Sequence, residues 1–216
     1  MNKTALIAGA TGLVGKHIIS ELIAHHAYTK IIVLSRRSLN INHPKLIEKI
    51  IDFNLLEHTT ITGKVDECYC ALGTTQRKSG KEGMVKVDYE FVAKLTQLCK
   101  FNSIPKLMVV SSQGANPGSA FFYLRTKGLM EEAVKSSGVN TVYLIRPSLI
   151  TGKREEFRLT ETLSSYLYKI ISPLMIGRFK KLRPVQAGQI ARCMIALAQK
   201  DEKGSYTIES DFIQQF

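Results

Sequence analysis

Residues 3–15 read Lys3-Thr4-Ala5-Leu6-Ile7-Ala8-Gly9-Ala10-Thr11-Gly12-Leu13-Val14-Gly15. A short apolar run, Lys3–Ala8, leads directly into Gly-x-x-Gly-x-x-Gly, and an amphipathic stretch, Leu13–His25, follows. The reading is strand, tight turn, helix. Each glycine has its own physical task. Gly9 permits the tight turn, Gly12 lets the backbone approach a pyrophosphate, and Gly15 lets the helix pack closely on the strand. The helix N-terminus then offers unpaired N–H groups and a partial positive charge to a phosphate. Gly9, Ala10, Thr11, Gly12, Leu13, Val14 and Gly15 are therefore the first candidate lining of a dinucleotide site.

Working outward, strand-like and helix-like segments alternate. Lys30–Leu34, Leu46–Ile51, Val65–Ala71, Lys106–Ser111 and Asn140–Arg146 read as strands. Met84–Phe101 and Ala120–Lys135 have helical spacing, and Gly138 supplies the expected stop. Near-continuous apolar strands separated by helices predict an α/β fold, a three-layer doubly wound parallel sheet. After Pro147 the rhythm changes. Thr162–Ile176 is apolar and basic, Val185–Ala198 reads as a helix, and Ser205–Glu209 as a last edge strand. The expected organisation is a single domain over 1–216, with 148–216 forming a small, largely helical C-terminal part.

Composition agrees with one folded domain. The chain has 216 residues, 44% hydrophobic and 22% charged. That excludes a disordered or collagen-like chain. No stretch approaches the ~18 uninterrupted apolar residues of a membrane span. The N-terminal apolar run continues into the glycine turn with no small-residue cleavage site, so it reads as a strand and not as a signal peptide. Cys68, Cys70, Cys99 and Cys193 are scattered without metal-ligand spacing, and buried thiols of a cytoplasmic protein are expected. No metal is expected; His25-His26 lacks a third ligand. The net charge of +12 favours anionic ligands. No nucleic-acid motif or regular aromatic interleaving accompanies it, so specific nucleic-acid binding is not expected.

The second strand runs into Ser35-Arg36-Arg37, about twenty residues past the glycine loop, where the adenosine ribose is read. A carboxylate there would accept from the 2′-hydroxyl of NAD. A serine and two guanidinium forks suit a 2′-phosphate instead. NADP(H) is therefore expected over NAD(H). Asp52-Phe53 follows the third strand, with the carboxylate placed for the adenine amino group and the ring beside the base. Ala71-Leu72-Gly73-Thr74 ends the fourth strand, where the sheet would meet the cofactor's ribose.

Tyr123 and Lys127 stand at i and i+4 on one helix face. A free phenol titrates near ~10, and an adjacent ammonium favours its ionised form. Ser111-Ser112 ends the fifth strand, and a serine there can donate to a substrate carbonyl. The chemistry expected is hydride transfer between NADPH and a small carbonyl or alcohol, with Tyr123 exchanging the proton. Alone, the Tyr-x-x-x-Lys spacing also describes a surface pair.

On the residues Gly9–Gly15, Ser111-Ser112, Tyr123 with Lys127, and Arg146-Pro147, the chain resembles the atypical branch of the short-chain dehydrogenase/reductase superfamily. Ala71-Leu-Gly-Thr-Thr75, Val87-Asp88 and Phe122-Tyr123-Leu124 make it similar to the Tat-interacting protein group within that branch. The resemblance spans about residues 3–209. It implies a Rossmann fold with NADPH, Ser112 polarising the substrate, Tyr123 as acid/base, and Lys127 on the ribose. Ser111 is the fallback serine, and Pro147 and Ser148 would lie near the nicotinamide. It also implies regulatory, protein-binding roles and helix-mediated pairing into a homodimer, so a cofactor-binding regulatory module stands as the rival to an enzyme. Two departures matter. Ala71-Leu72-Gly73-Thr74 lacks the asparagine of the classical fourth-strand motif, and the segment after Pro147 is too short for a large substrate lobe.

Two basic segments complete the reading. Lys169–Arg183 interleaves positive and apolar residues, which suits a helix packed on the sheet edge, a lid, or a docking surface. Arg77–Gly83, after the fourth strand, is expected to be a solvated loop.

Overall fold

A computed structural model describes residues 2–152 and 182–216. Its centre is a seven-stranded sheet in the order β3-β2-β1-β4-β5-β6-β9, with every pairing parallel. The strands are β1 (Lys3–Ala8), β2 (Tyr28–Ser35), β3 (Leu46–Ile50), β4 (Glu67–Cys70), β5 (Lys106–Val110), β6 (Thr141–Arg146) and β9 (Gly204–Glu209). Two short strands, β7 (Ile150–Thr151) and β8 (Val185–Gln186), pair apart from it. The sheet is the doubly wound Rossmann fold expected from the alternating pattern.

Alternation within β1 shows why both faces are covered. Ala5 and Ile7 point to one layer, and Leu6 and Ala8 to the other. The first layer is α1 (Leu13–Ala24) and α5 (Ala187–Ala198), through Val14, Ile18, Leu22, Ile190, Ala191 and Met194. The second is α3 (Phe91–Phe101) and α4 (Phe122–Lys135), through Val92, Leu95, Leu98, Met130 and Val134. Burying each such Leu, Ile or Met side chain contributes about 1.5–3 kcal/mol. All four cysteines are buried free thiols, as their spacing suggested. Residues 204–209 pair with β6 at the sheet edge, so the C-terminal part supplies both the expected edge strand and half of one helical layer. A one-turn helix, α6 (Ser210–Ile213), follows it.

Two segments differ from expectation. Residues 77–83, read as a loop, lie within α2 (Gln76–Val85). The Thr75 carbonyl accepts from the amides of Lys78 and Ser79 and winds the first turn. Gly80, at φ +70°, breaks the helix, and a second stretch resumes after it. Polar composition concealed a helix that a glycine divides. The helix expected over Met84–Phe101 is itself interrupted by a π-turn, Lys86–Glu90. The segments Thr162–Ile176 and Lys169–Arg183 lie outside the described residues, except for Leu182 and Arg183.

The two ends of the sheet differ. At the N-terminal ends of the strands, the Glu67 carboxylate is buried and receives Lys3 Nζ at 2.6 Å, Tyr69 Oη at 2.9 Å and the Tyr28 hydroxyl. Gln199 Nε2 donates to Tyr28 Oη at 2.8 Å. That end is closed by polar pairing. At the other end, strand order reverses between β1 and β4, and the loops after these strands lie against each other. In open parallel sheets that is where ligands bind.

Candidate active site

The glycine loop follows β1 at this switch point. Gly9 has φ +86°, and a Cβ there would stand 2.4 Å from the Ala71 carbonyl group. A Cβ on Gly15 would lie 2.2 Å from the Gly9 carbonyl oxygen. These two glycines are therefore required by the fold itself. Gly12 is exposed, and its added Cβ would meet the Gly9 oxygen at 3.3 Å. No side chain caps α1 at Gly12. By helix geometry the first-turn amides beyond it have no intrahelical acceptor. Thr11 is exposed beside them, while Ala10 and Val14 are core residues.

The end of β2 carries the next candidates. Ser35 is buried, and its Oγ has no partner among the described residues. Arg36 and Arg37 are exposed. A buried hydroxyl without a partner, two exposed guanidinium groups that form no ion pair among the described residues, and uncapped helix amides fit a phosphorylated dinucleotide. Asp52 Oδ1 accepts from Asn54 N at 2.9 Å and from Asn54 Nδ2 at 2.7 Å. The backbone bond from Asn54 holds its carboxyl below the usual range. The Phe53 ring, expected beside a base, instead packs in the core on Phe91, with centroids 5.5 Å apart. Its six-residue helical turn, Phe53–His58, rolls the ring inward and leaves Asp52 exposed.

The loop after β4 brings Ala71 and Leu72 against the glycine loop, and Gly73 and Thr74 toward Asp88. Leu72 packs on the second core layer, and Gly73 is exposed. Thr74 N–H donates to Asp88 Oδ2 at 2.8 Å.

On α4, Tyr123 lies in the first turn and is 40% exposed, whereas Lys127 is 3% exposed. The Lys127 ammonium pairs with Asp88 Oδ1 at 2.8 Å and donates to the Val110 carbonyl at 3.4 Å. Burial alone would lower its pKa; the Asp88 carboxylate, helped by Tyr123, overrides burial and raises it. Lys127 is thus a held cation at the end of β5, and its burial sets aside the surface pair that the spacing alone also described.

The two serines after β5 have different environments. Ser111 is buried, and its hydroxyl donates to Glu131 Oε1 at 2.6 Å. The fallback serine is therefore occupied by the fold. Ser112 is half-buried, and among the described residues its hydroxyl makes only a long bond, 3.3 Å, to the Gln113 carbonyl. Glu131 also takes a two-pronged bond from Arg146, at 2.9 Å from Nε and 2.6 Å from Nη2. The same guanidinium reaches the Ala115 carbonyl at 3.1 Å and Glu209 at 3.3 Å. Pro147 is buried, and its carbonyl accepts from Gln113 N–H at 3.0 Å. Ser148 faces the C-terminal segment, bonding to the Arg183 carbonyl and to Ser210.

Asp88 and Glu131 were given no role by sequence reasoning. Both carry a readable signal. Asp88 falls on the buried stripe of Met84, Phe91, Val92 and Leu95, and Glu131 adjoins Met130 and Val134. A carboxylate on an apolar stripe requires a buried cationic partner.

Comparisons with known proteins agree with this geometry. A family model described as NAD(P)H-binding matches residues 9–172. Protein HTATIP2 of Rattus norvegicus is 32% identical over 167 residues, 76% of this chain and 69% of that protein. Protein fmp52, mitochondrial, of Emericella nidulans is 31% identical over 230 residues, 99% of this chain and 98% of that protein. Among solved structures, MoeE5 in complex with UDP-glucose and NAD gives a TM-score of 0.69 at 14% identity, covering 97% of this chain and 79% of that one. Uronate dehydrogenase from Agrobacterium tumefaciens gives 0.69 at 13% identity, covering 95% and 75%. At such identities the structural likeness is one of fold. The family model, these sequence relatives and the fold together place the chain in the NAD(P)H-binding family.

Proposed function

We propose that the protein is an NADP(H)-dependent oxidoreductase acting on a small carbonyl or alcohol. One observation carries the reading. An exposed tyrosine and a buried, ion-paired lysine stand one turn apart on α4, and the lysine reaches the Val110 carbonyl, two residues before Ser112, whose hydroxyl makes a long bond. A module that only bound a nucleotide would have no need of that acid/base arrangement. When bound, NADPH would supply the hydride. The phenol of Tyr123 then gives its proton to the substrate oxygen in reduction and recovers one in oxidation. Ser112 Oγ–H donates to the same oxygen and fixes the carbonyl. Lys127 keeps a positive charge beneath the tyrosine and favours the phenolate as the proton leaves. The amides opening α1 and the residues Ser35, Arg36 and Arg37 hold the two ends of the phosphorylated adenosine half. Asp52 remains at the adenine position, without the Phe53 ring.

Calorimetric titration with NADPH and NADH tests the reading on the wild type and on Arg36→Ala. NADPH should bind more tightly, and Arg36→Ala should lose about tenfold or more of that preference, the size of a charge-assisted hydrogen bond. NADPH oxidation over a panel of aldehydes and ketones should then be abolished by Tyr123→Phe with nucleotide binding retained. Absence of binding of either nucleotide overturns the proposal. Turnover unchanged in Tyr123→Phe removes the tyrosine from its role.

A further inference from the structure

Asp88 lies in the π-turn between α2 and α3 and is 1% exposed. Such turns insert a residue into a helix at a point where a side chain must be redirected. Both of its carboxylate oxygens are used. Oδ1 pairs with Lys127 Nζ at 2.8 Å, and Oδ2 accepts from Thr74 N–H at 2.8 Å. One side chain therefore joins α4 to the loop after β4. The adjoining glycine fits the same arrangement. A Cβ on the exposed Gly73 would stand 3.4 Å from Asp88 Oδ1 and 4.0 Å from Lys127 Nζ, so only a bare backbone separates the ion pair from solvent. An ammonium has three donors. Asp88 and the Val110 carbonyl take two of those on Lys127, and the third has no partner among the described residues.

We propose that Asp88 is the positioning residue of the site, fixing the Lys127 ammonium so that its third N–H serves the bound dinucleotide, and locking the loop at Thr74 to it. The proposal rests on the NADP(H) reading above. A carboxylate is needed rather than an amide. Removing one charge of a buried pair leaves the other without compensation. The groups facing Lys127 are Asp88 from the π-turn, Tyr123 from its own helix, Cys70 from β4 and the Val110 carbonyl from β5. Burial pushes the Cys70 thiol up to about 12, so it offers no charge in exchange. Without Asp88, burial acts on Lys127 largely unopposed, and the ammonium loses its proton more easily.

The experiment is an NADPH titration by calorimetry on the wild type, Asp88→Asn, Lys127→Met and the double variant, from about pH 7 to about pH 9, above the titration of the 2′-phosphate. Wild-type affinity should stay nearly flat. Asp88→Asn should bind roughly ten- to a hundredfold more weakly at the upper pH and recover toward the lower. On the Lys127→Met background, Asp88→Asn should add no further loss. Affinity in Asp88→Asn equal to wild type at every pH overturns the proposal. So does an equal loss at every pH that persists in Lys127→Met, because that is a packing effect alone. Should Asp88→Asn not fold, the double variant, with both charges gone, carries the comparison. Affinity matching Lys127→Met supports the proposal, and weaker binding overturns it. A wild type that binds no dinucleotide overturns the functional reading, and this inference with it.

Discussion

At Gly15 one added methyl group meets the Gly9 carbonyl oxygen at 2.2 Å and Ala10 Cα at 2.8 Å. Elsewhere in a helix, Gly to Ala gains about 1 kcal/mol. Here overpacking against fixed backbone reverses the sign. Gly15→Ala should cost about 1–3 kcal/mol and lower the thermal midpoint by about 2–4 °C for each of them, read by circular dichroism. Gly12→Ala is the contrast. Its methyl group meets the Gly9 oxygen only at 3.3 Å. On the proposed reading that variant should keep its melting temperature and lose NADPH affinity, because its methyl group would stand where the phosphate approaches. The three glycines were legible in the sequence because their spacing encodes backbone geometry over a few residues. The Asp88–Lys127 pair was not, because its two members come from different elements and only the fold joins them. The Phe53 ring, expected beside the base, packs inward for a related reason: a helical turn begins there, and the ring is drawn to Phe91.

Helix α4 places Tyr123, Lys127 and Glu131 along one face at intervals of four residues. The two buried charges are matched from different elements, Lys127 by Asp88 and Glu131 by Arg146. Arg146 also grips the loop that presents Ser112, through the Ala115 carbonyl. Arg146→Met should therefore strand the Glu131 carboxylate and cost about 3 kcal/mol in urea unfolding. Adding Glu131→Leu should restore most of that loss, since an apolar pair needs no counter-charge. A double variant as unstable as the single one would show that the fork matters for shape and not for charge. Element positions were mostly readable, since each strand is an apolar run bounded by turn residues. The exception was α2, where Arg77, Lys78, Lys81 and Glu82 give no apolar stripe and Gly80 interrupts the winding.

Across the whole molecule, the groups with raised pKa values set the alkaline limit. Burial pushes the thiols of Cys70 and Cys193 up to about 12, and raises Cys68 as well. Burial first, and then the Glu67 carboxylate, raises Tyr28 and Tyr69. These groups stay neutral in the folded chain at pH values where the unfolded chain already ionises. Their stabilisation is complete below the ordinary thiol value of 9.0 and is lost as pH rises through the folded values. The urea midpoint should be steady from about pH 7 to 8.5 and decline above about pH 9. A midpoint that stays level to about pH 10.5 contradicts this assignment. At this scale the sequence was most informative. Alternating apolar strands and helices leave few topologies open, and right-handed crossovers leave fewer.

The position of β9 has a consequence for how the chain is made. It is the last strand in the sequence, yet it pairs with β6 from Thr141–Gly204 to Arg146–Glu209 and covers that strand's outer edge. During synthesis β6 emerges some sixty residues earlier than its partner. Through that interval its amides and carbonyls form an open template for pairing with any other extended chain. A ribosome stalled before Gly204 would release a polypeptide with the nucleotide loop already formed and one sheet margin unsealed. Such a fragment would present an unpaired β6 edge, a surface that invites aggregation.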